Sequence, residues 1–257
     1  MSEKPSPSKA RLLPLLVLCV AIAVWSALWL LQAFPPSVFP SPLAVARGLG
    51  EEVRTGRLFS DLVASLFRVT TGFMLAVFLG IPVGLWLGQH VRSRLALLPA
   101  INFFRSLSPL AWIPFAILWF GIGDLPAIFL IFMACFFPVV IATVGAVAGI
   151  PSVYFRVARD YEFNGFELFT KVILPAIAPQ VITSLRVTAG LAWLVVVAAE
   201  MIAGRDGLGF AIWDARNGLR MDLLLAGMIV IGVTGMVIDR VLMRLTKIRS
   251  IRWGYER

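Results

Sequence analysis

The sequence predicts an all-α integral membrane protein with six transmembrane helices. Three observations carry that expectation. Of 257 residues, 60% are hydrophobic and only 14% charged, with a mean hydropathy of +0.91, which leaves too little polar surface to cover a soluble core of this size. Several apolar runs reach about 20 residues, the length a helix needs to cross roughly 30 Å of hydrocarbon. The formal charge of +9 falls mostly between those runs, where it acts as a topology signal.

The elements follow in order. Residues 1–11 are polar and basic and form an N-terminal tail. Residues 12–31 are almost wholly apolar and form the first span, because the core is long for a signal peptide and no small-residue cleavage site follows it cleanly. Residues 32–59 combine a loop and a short amphipathic helix. The prolines of 34–42 enforce extended backbone, and Leu43, Val45, Leu49 and Val53 recur at helical spacing over 43–57. A core domain covers 60–246, with apolar segments at 60–88, 99–120, 125–148, 177–203 and 222–243. Pro109 and Pro114 kink the third span. Residues 247–257 form a C-terminal tail.

Lys and Arg counts set the orientation. With the N-terminus inside, fourteen fall on cytoplasmic segments and six on external ones, Arg47, Arg54, Arg57, Arg205, Arg216 and Arg220. The excess predicts that both termini are cytoplasmic, and it accounts for most of the net charge without nucleic acid.

Soluble chemistry is excluded on residue types. No Gly-x-x-x-x-Gly-Lys-Ser/Thr run cradles phosphate. One histidine, His90, stands at a loop beside Arg92 and Arg94, and Cys19 and Cys135 lie apart in apolar runs. Neither a hydrolytic triad nor a metal or redox cluster can be built from these.

The informative segment is the insert 150–176. Between Pro151 and Pro175 there is room for two short helices, and they carry Tyr154, Phe155, Tyr161, Phe163, Phe166 and Phe169. Aromatic side chains on a cytoplasmic segment want either a partner's groove or the membrane surface and the underside of their own bundle. Physics alone leaves both open.

The run Val157-Ala158 followed by Lys171-Val-Ile-Leu174-Pro175 resembles the EAA loop of bacterial binding-protein-dependent ABC-importer permeases of type I. Their pattern has Ala-Ala, a glycine four residues later and Leu-Pro thirteen after that. Here those places hold Val157-Ala158, Glu162 and Leu174-Pro175, with Gly165 three residues beyond Glu162. Further runs are similar to the nitrate/sulfonate/taurine/bicarbonate branch. They are Ser65-Leu-Phe-Arg68, Ser108-Pro-Leu-Ala-Trp112-Ile-Pro114, Trp119-Phe-Gly-Ile-Gly123, Gly190-Leu-Ala-Trp193, Ala198-Ala-Glu200 and Gly207-Leu-Gly-Phe210. The resemblance spans about residues 38–246.

The resemblance implies a type I ABC importer permease fold in a bacterial inner membrane and no enzymatic activity in this chain. It implies a second permease copy, two cytoplasmic ATPase subunits carrying ATP and Mg, and an external substrate-binding protein. The chain itself binds no cofactor. The resemblance further implies a small anionic cargo such as nitrate, bicarbonate or a sulfonate like taurine. Coupling to the ATPase then falls to Val157, Ala158, Arg159, Asp160, Tyr161, Glu162, Phe163, Asn164, Gly165, Phe166, Leu174 and Pro175.

Charges within spans need separate accounts. Arg68, Arg105, Arg186, Glu200 and Asp239 all fall in or near apolar segments. Arg68 and Arg186 either attract an anion along the pathway or hold the bundle through ion pairs. The second reading is preferred, because the resembling permeases receive cargo from a separate protein. Ser108, Trp112 and Glu200 complete the candidate pathway. Two other classes compete with this reading, a stand-alone secondary transporter or channel and a non-transporting scaffold. An aromatic helix pair argues against the first, and intramembrane arginines with kinked spans argue against the second.

Overall fold

A computed structural model describes residues 7–35 and 37–245. Of the N-terminal tail expected over 1–11, residues 1–6 lie outside the described residues and 7–11 are helical, and the C-terminal tail expected over 247–257 lies outside them as well. In chain order the helices are α1 (Pro7–Leu30), α2 (Pro42–Arg54), α3 (Arg57–Gln89), α4 (Val91–Ser106), a 3₁₀ turn (Pro109–Trp112) and α5 (Ile113–Phe120). Next come α6 (Asp124–Ala148), α7 (Ser152–Asp160), α8 (Gly165–Glu167), a π turn (Leu168–Ile173), α9 (Leu174–Ala203), α10 (Leu208–Asn217) and α11 (Met221–Leu245). The described residues contain helices and their connections only.

Four helical segments are long and apolar enough to cross a bilayer: Arg57–Gln89, Asp124–Ala148, Gly165–Ala203 and Met221–Arg244. The pair Val91–Ser106 and Pro109–Phe120, bent by 85°, makes five. The apolar stretch Leu16–Leu30 of α1 is shorter. The whole of α1 runs Pro7–Leu30, 24 residues, about 36 Å at about 1.5 Å per residue.

The third span expected over 99–120 is therefore two helices set at a sharp angle, with α4 starting as early as Val91. Leu107 and Ser108 have extended backbone (ψ 132° and 127°), which at Ser108 is what the residue before a proline prefers. The connection expected over 204–221 also contains a helix, α10.

The backbone divides into two units. In the first, residues 1–60 with 211–230, Ser41 caps α2 by accepting from Ala44 N–H at 3.1 Å. Trp25 Nε1 donates to the Pro40 carbonyl at 3.1 Å. Arg57 pairs with Asp214 at 2.6 Å, and Arg220 bridges Glu51 and Asp222.

The second unit, residues 61–210 with 231–257, holds most of the core. α6 is its central helix, with Leu130, Ile131, Cys135, Val139 and Val140 fully or nearly fully buried. Against it α3 presents small residues every fourth position: Gly72, Ala76, Gly80, Gly84 and Gly88. A Cβ placed on Gly84 would lie 2.5 Å from Thr143 Cβ, and one on Gly88 2.6 Å from Val147 Cβ. That spacing lets two backbones approach where lipid supplies no hydrophobic drive, so close van der Waals packing has to hold the helices together. α9 reaches α11 through Trp193, whose Nε1 donates to the Ile231 carbonyl at 3.1 Å.

Candidate functional site

Two regions at opposite ends of α6 and α9 carry the candidate residues. The first is the helix pair beyond the Ala148 end. α7 ends in a reciprocal cap: Phe163 N–H donates to Ala158 O at 3.0 Å, and Glu162 N–H to Arg159 O at 2.9 Å. That geometry requires a left-handed residue at the turn, and Glu162 supplies it with φ +53°. The place where the resembling permeases carry glycine is thus the one position here whose backbone favours glycine.

The second helix of the pair starts on a capping box. Asn164 Oδ1 accepts from Glu167 N–H at 2.9 Å, while Glu167 Oε2 accepts from Asn164 N–H at 3.2 Å. Lys171 then pairs with Glu167 at 2.7 Å and lies 5.0 Å from the centre of the Phe163 ring. The chain runs through the π turn directly into α9, so Leu174 and Pro175 are the first residues of a span. The helical path is therefore uninterrupted from Gly165 to Ala203.

The faces of the pair differ. Phe155, Leu168 and Phe169 pack inward on Ala146, Val147, Ile150, Ile173, Ile177 and Val181, so two of the six aromatics of the insert anchor the pair to the bundle. Ala158 is buried as well. The outward face keeps Tyr154, Val157, Tyr161 and Phe166, the last two 73% and 76% exposed. Arg159, Asp160, Glu162, Asn164 and Gly165 are exposed beside them, and Phe163 is half-buried.

The second region lies at the Asp124 and Ala203 ends. Arg68 of α3 is 1% exposed and meets three carboxylates: Asp124 at 2.6 Å, Glu200 at 2.7 Å, and Asp206. It also donates to the Asp206 carbonyl at 2.9 Å. Glu200, fully buried, accepts from Ser65 Oγ at 2.8 Å and from Gly209 N–H at 3.0 Å. Ser65 Oγ accepts from Leu208 N–H at 2.9 Å, and Asp61 from Gly207 N–H at 2.9 Å. Gly207 has φ +100°, and a Cβ there would strike the Glu200 carboxyl at 2.5 Å, so only glycine fits. The cluster ties α3, the start of α6, the end of α9 and the start of α10 into one polar knot.

The five candidate pathway residues therefore do not form one site. Arg68 and Glu200 are partners in this knot. Arg186 is bound bidentately by Asp239 at 2.7 and 2.9 Å. Ser108 and the half-buried Trp112 sit at the break between α4 and α5, Trp112 with ring centres 6.1 Å from Phe115 and 6.4 Å from Trp119. Asp61, Asp124 and Asp206 were not among the candidate site residues and Ser65 figured only in a motif, although Asp61, Ser65 and Arg68 share one helix face at helical spacing. Among the described residues no group of three or more His, Cys, Asp or Glu side chains is placed to hold a metal ion.

Residues 76–252 match the model of the binding-protein-dependent transport system inner membrane component family. The chain belongs to that family. Relatives of this permease include the taurine transport system permease protein TauC of Escherichia coli strain K12, 34% identical over 86% of this chain and 82% of TauC. The nitrate import permease protein NrtB of Leptolyngbya laminosa is 39% identical over 71% of this chain and 65% of NrtB. Among solved structures, an inward-facing form of the MetNI methionine ABC transporter superposes with a TM-score of 0.66 at 17% identity, covering 74% of this chain and 94% of that one. The permease thus has the all-helical fold of a type I ABC importer subunit. It is a transport subunit of an ABC importer and not an enzyme, and ATP hydrolysis belongs to a separate partner.

Proposed function

We propose that this permease imports a small oxyanion of the nitrate, bicarbonate or sulfonate class across the inner membrane. It works with a second permease copy, two cytoplasmic ATPases that carry ATP and Mg, and an external binding protein. Both termini and the helix pair 152–173 face the cytoplasm, and the Arg68 knot faces outward. The supporting observation is the two-faced helix pair: Phe155, Leu168 and Phe169 fix it to the bundle, while Tyr154, Val157, Tyr161 and Phe166 present an exposed apolar face. Such a face on an anchored short helix fits a partner groove.

Closure of the ATPase dimer moves this pair, and the uninterrupted helix from Gly165 to Ala203 carries that motion to the far end of the bundle. The pathway then alternates between inward- and outward-open forms. Nitrate and taurine are what the named relatives carry, and the branch motifs lead to the same cargo class.

The test is reconstitution with the partner ATPase and binding protein, with uptake of labelled nitrate, bicarbonate and taurine. Uptake of one of these anions with ATP is expected, and Phe166→Asp or Tyr161→Asp is expected to abolish ATPase co-purification. Wild-type assembly and uptake in both variants would sink the docking role, and uptake of none of the three would sink the cargo class.

A further inference from the structure

The break in the bent span opens a cleft in the second unit. Phe104, Arg105, Ser108 and Pro109 line one side, and Met133 and Leu191 the other, around a volume of about 400 Å³. Met133 lies about 14 Å along α6 from Asp124, and Leu191 about 18 Å along α9 from Ala203, at about 1.5 Å per residue. The cleft therefore sits near the middle of a roughly 30 Å hydrocarbon layer.

Charge sets it apart. Of the three arginines well inside spans, Arg68 is held by Asp124, Glu200 and Asp206, and Arg186 by Asp239. Arg105 is exposed, lines the cleft, and has no acidic partner among the described residues. The carbonyl end of α4 answers part of its charge, which is a fraction of what a bare guanidinium costs at that depth. The Ser106 hydroxyl is already committed to the Asn102 carbonyl at 2.9 Å, whereas the Ser108 hydroxyl has no partner among the described residues. Phe104, Met133 and Leu191 add apolar walls that strengthen any Coulomb attraction inside.

We propose that the Arg105 cleft at the break of the bent span is a mid-membrane binding site for a small oxyanion, with the Arg105 guanidinium as counter-charge and the Ser108 hydroxyl as hydrogen-bond donor. The planar guanidinium matches two oxygens of a nitrate, carboxylate or sulfonate group at once. One cation and one hydroxyl bind weakly enough to let the ion leave, as conduction requires. The inference rests on the reading that the cargo is anionic.

The experiment uses the reconstituted complex with Cys19→Ser and Cys135→Ala as background, and labelled nitrate, bicarbonate and taurine as probes. Arg105→Gln is expected to lower uptake by about tenfold or more, and Arg105→Lys to fall between it and the wild type, because an ammonium keeps the charge and loses the two-oxygen match. Arg105→Cys is expected to behave as the Gln variant and to recover on aminoethylation, which restores a cation, but not on neutral methylthiolation. Wild-type uptake in Arg105→Gln, or equal recovery with the neutral reagent, would overturn the site. Failure of every neutral variant to assemble would also overturn it, since the charge would then serve folding. A wild-type complex that carries none of the three anions overturns the cargo reading itself, and this site with it.

Discussion

Arg68 and Glu200 are both sealed from solvent, so their mutual attraction must offset the desolvation of two charges. Asp124, Asp206, Ser65 and the Gly209 amide supply the remaining hydrogen bonds. Removing one partner strands the other: Arg68→Met is expected to destabilise the permease by about 3–5 kcal/mol, while Arg68→Met with Glu200→Met recovers much of that loss. Thermal unfolding of the detergent-purified chain checks this, and a double variant no better than the single would refute the pairing account. Glu162 makes the opposite case, an L-residue at φ +53° that costs about 1 kcal/mol relative to a right-handed conformation. Glu162→Gly is expected to keep or raise thermal stability and to leave coupled ATPase activity intact. Glu162→Val is expected to lose both, because a β-branched side chain tolerates that region worst. That a charge at position 68 needed an explanation was legible in the sequence, since a lone arginine in an apolar run stands out. Its acids were not, because Asp124 and Asp206 lie 56 and 138 residues away and no local period announces such a contact.

The helices themselves were largely legible, because runs of apolar residues about 20 long have few other fates. What the runs did not announce was how they pack and where they break. The stripe Gly72, Ala76, Gly80, Gly84, Gly88 has an unbroken spacing of four and is a packing signal in a membrane helix, yet it reads as mere small residues until α6 lies against it. Gly84→Ala is expected to destabilise the fold, since the new Cβ meets Thr143 Cβ at 2.5 Å. Gly190→Ala, on α9 with nothing within 4 Å, is expected to be neutral or to stabilise by about 0.5–1 kcal/mol. Melting temperatures of the two variants decide it, and equal shifts would show that the stripe is not a contact. The bent span was visible only as Pro109 and Pro114. Arg92 and Arg94 made 89–98 look like a loop, but long basic side chains at a helix start extend to the interface and let the helix continue. Asn164 and Glu167 form the capping box that starts the second helix of the pair. It marks the start of the helical path that ends at Ala203.

Nothing in the fold alone says which end of the bundle faces the cytoplasm, so the orientation rests on charge. Under the proposed topology, fourteen Lys and Arg fall on segments assigned to the cytoplasm and six on segments assigned outside. Positively charged segments resist translocation, and each flanking Lys or Arg biases the neighbouring spans. The proposed topology has Tyr161 inside and Arg216, on α10, outside. Placed singly in a background of Cys19→Ser with Cys135→Ala, Tyr161→Cys is expected to react with a membrane-impermeant maleimide only after the cells are opened. Arg216→Cys is expected to react in intact cells. Tyr161 is 73% exposed and Arg216 is exposed, so neither thiol would be silent through burial. The reverse labelling pattern would invert the topology and leave the apolar face of Tyr154, Val157, Tyr161 and Phe166 with no cytoplasmic ATPase to meet. The helical path from Gly165 to Ala203 would then have nothing to pull on it, and the force path from nucleotide to bundle would fail even though every helix stayed where it is.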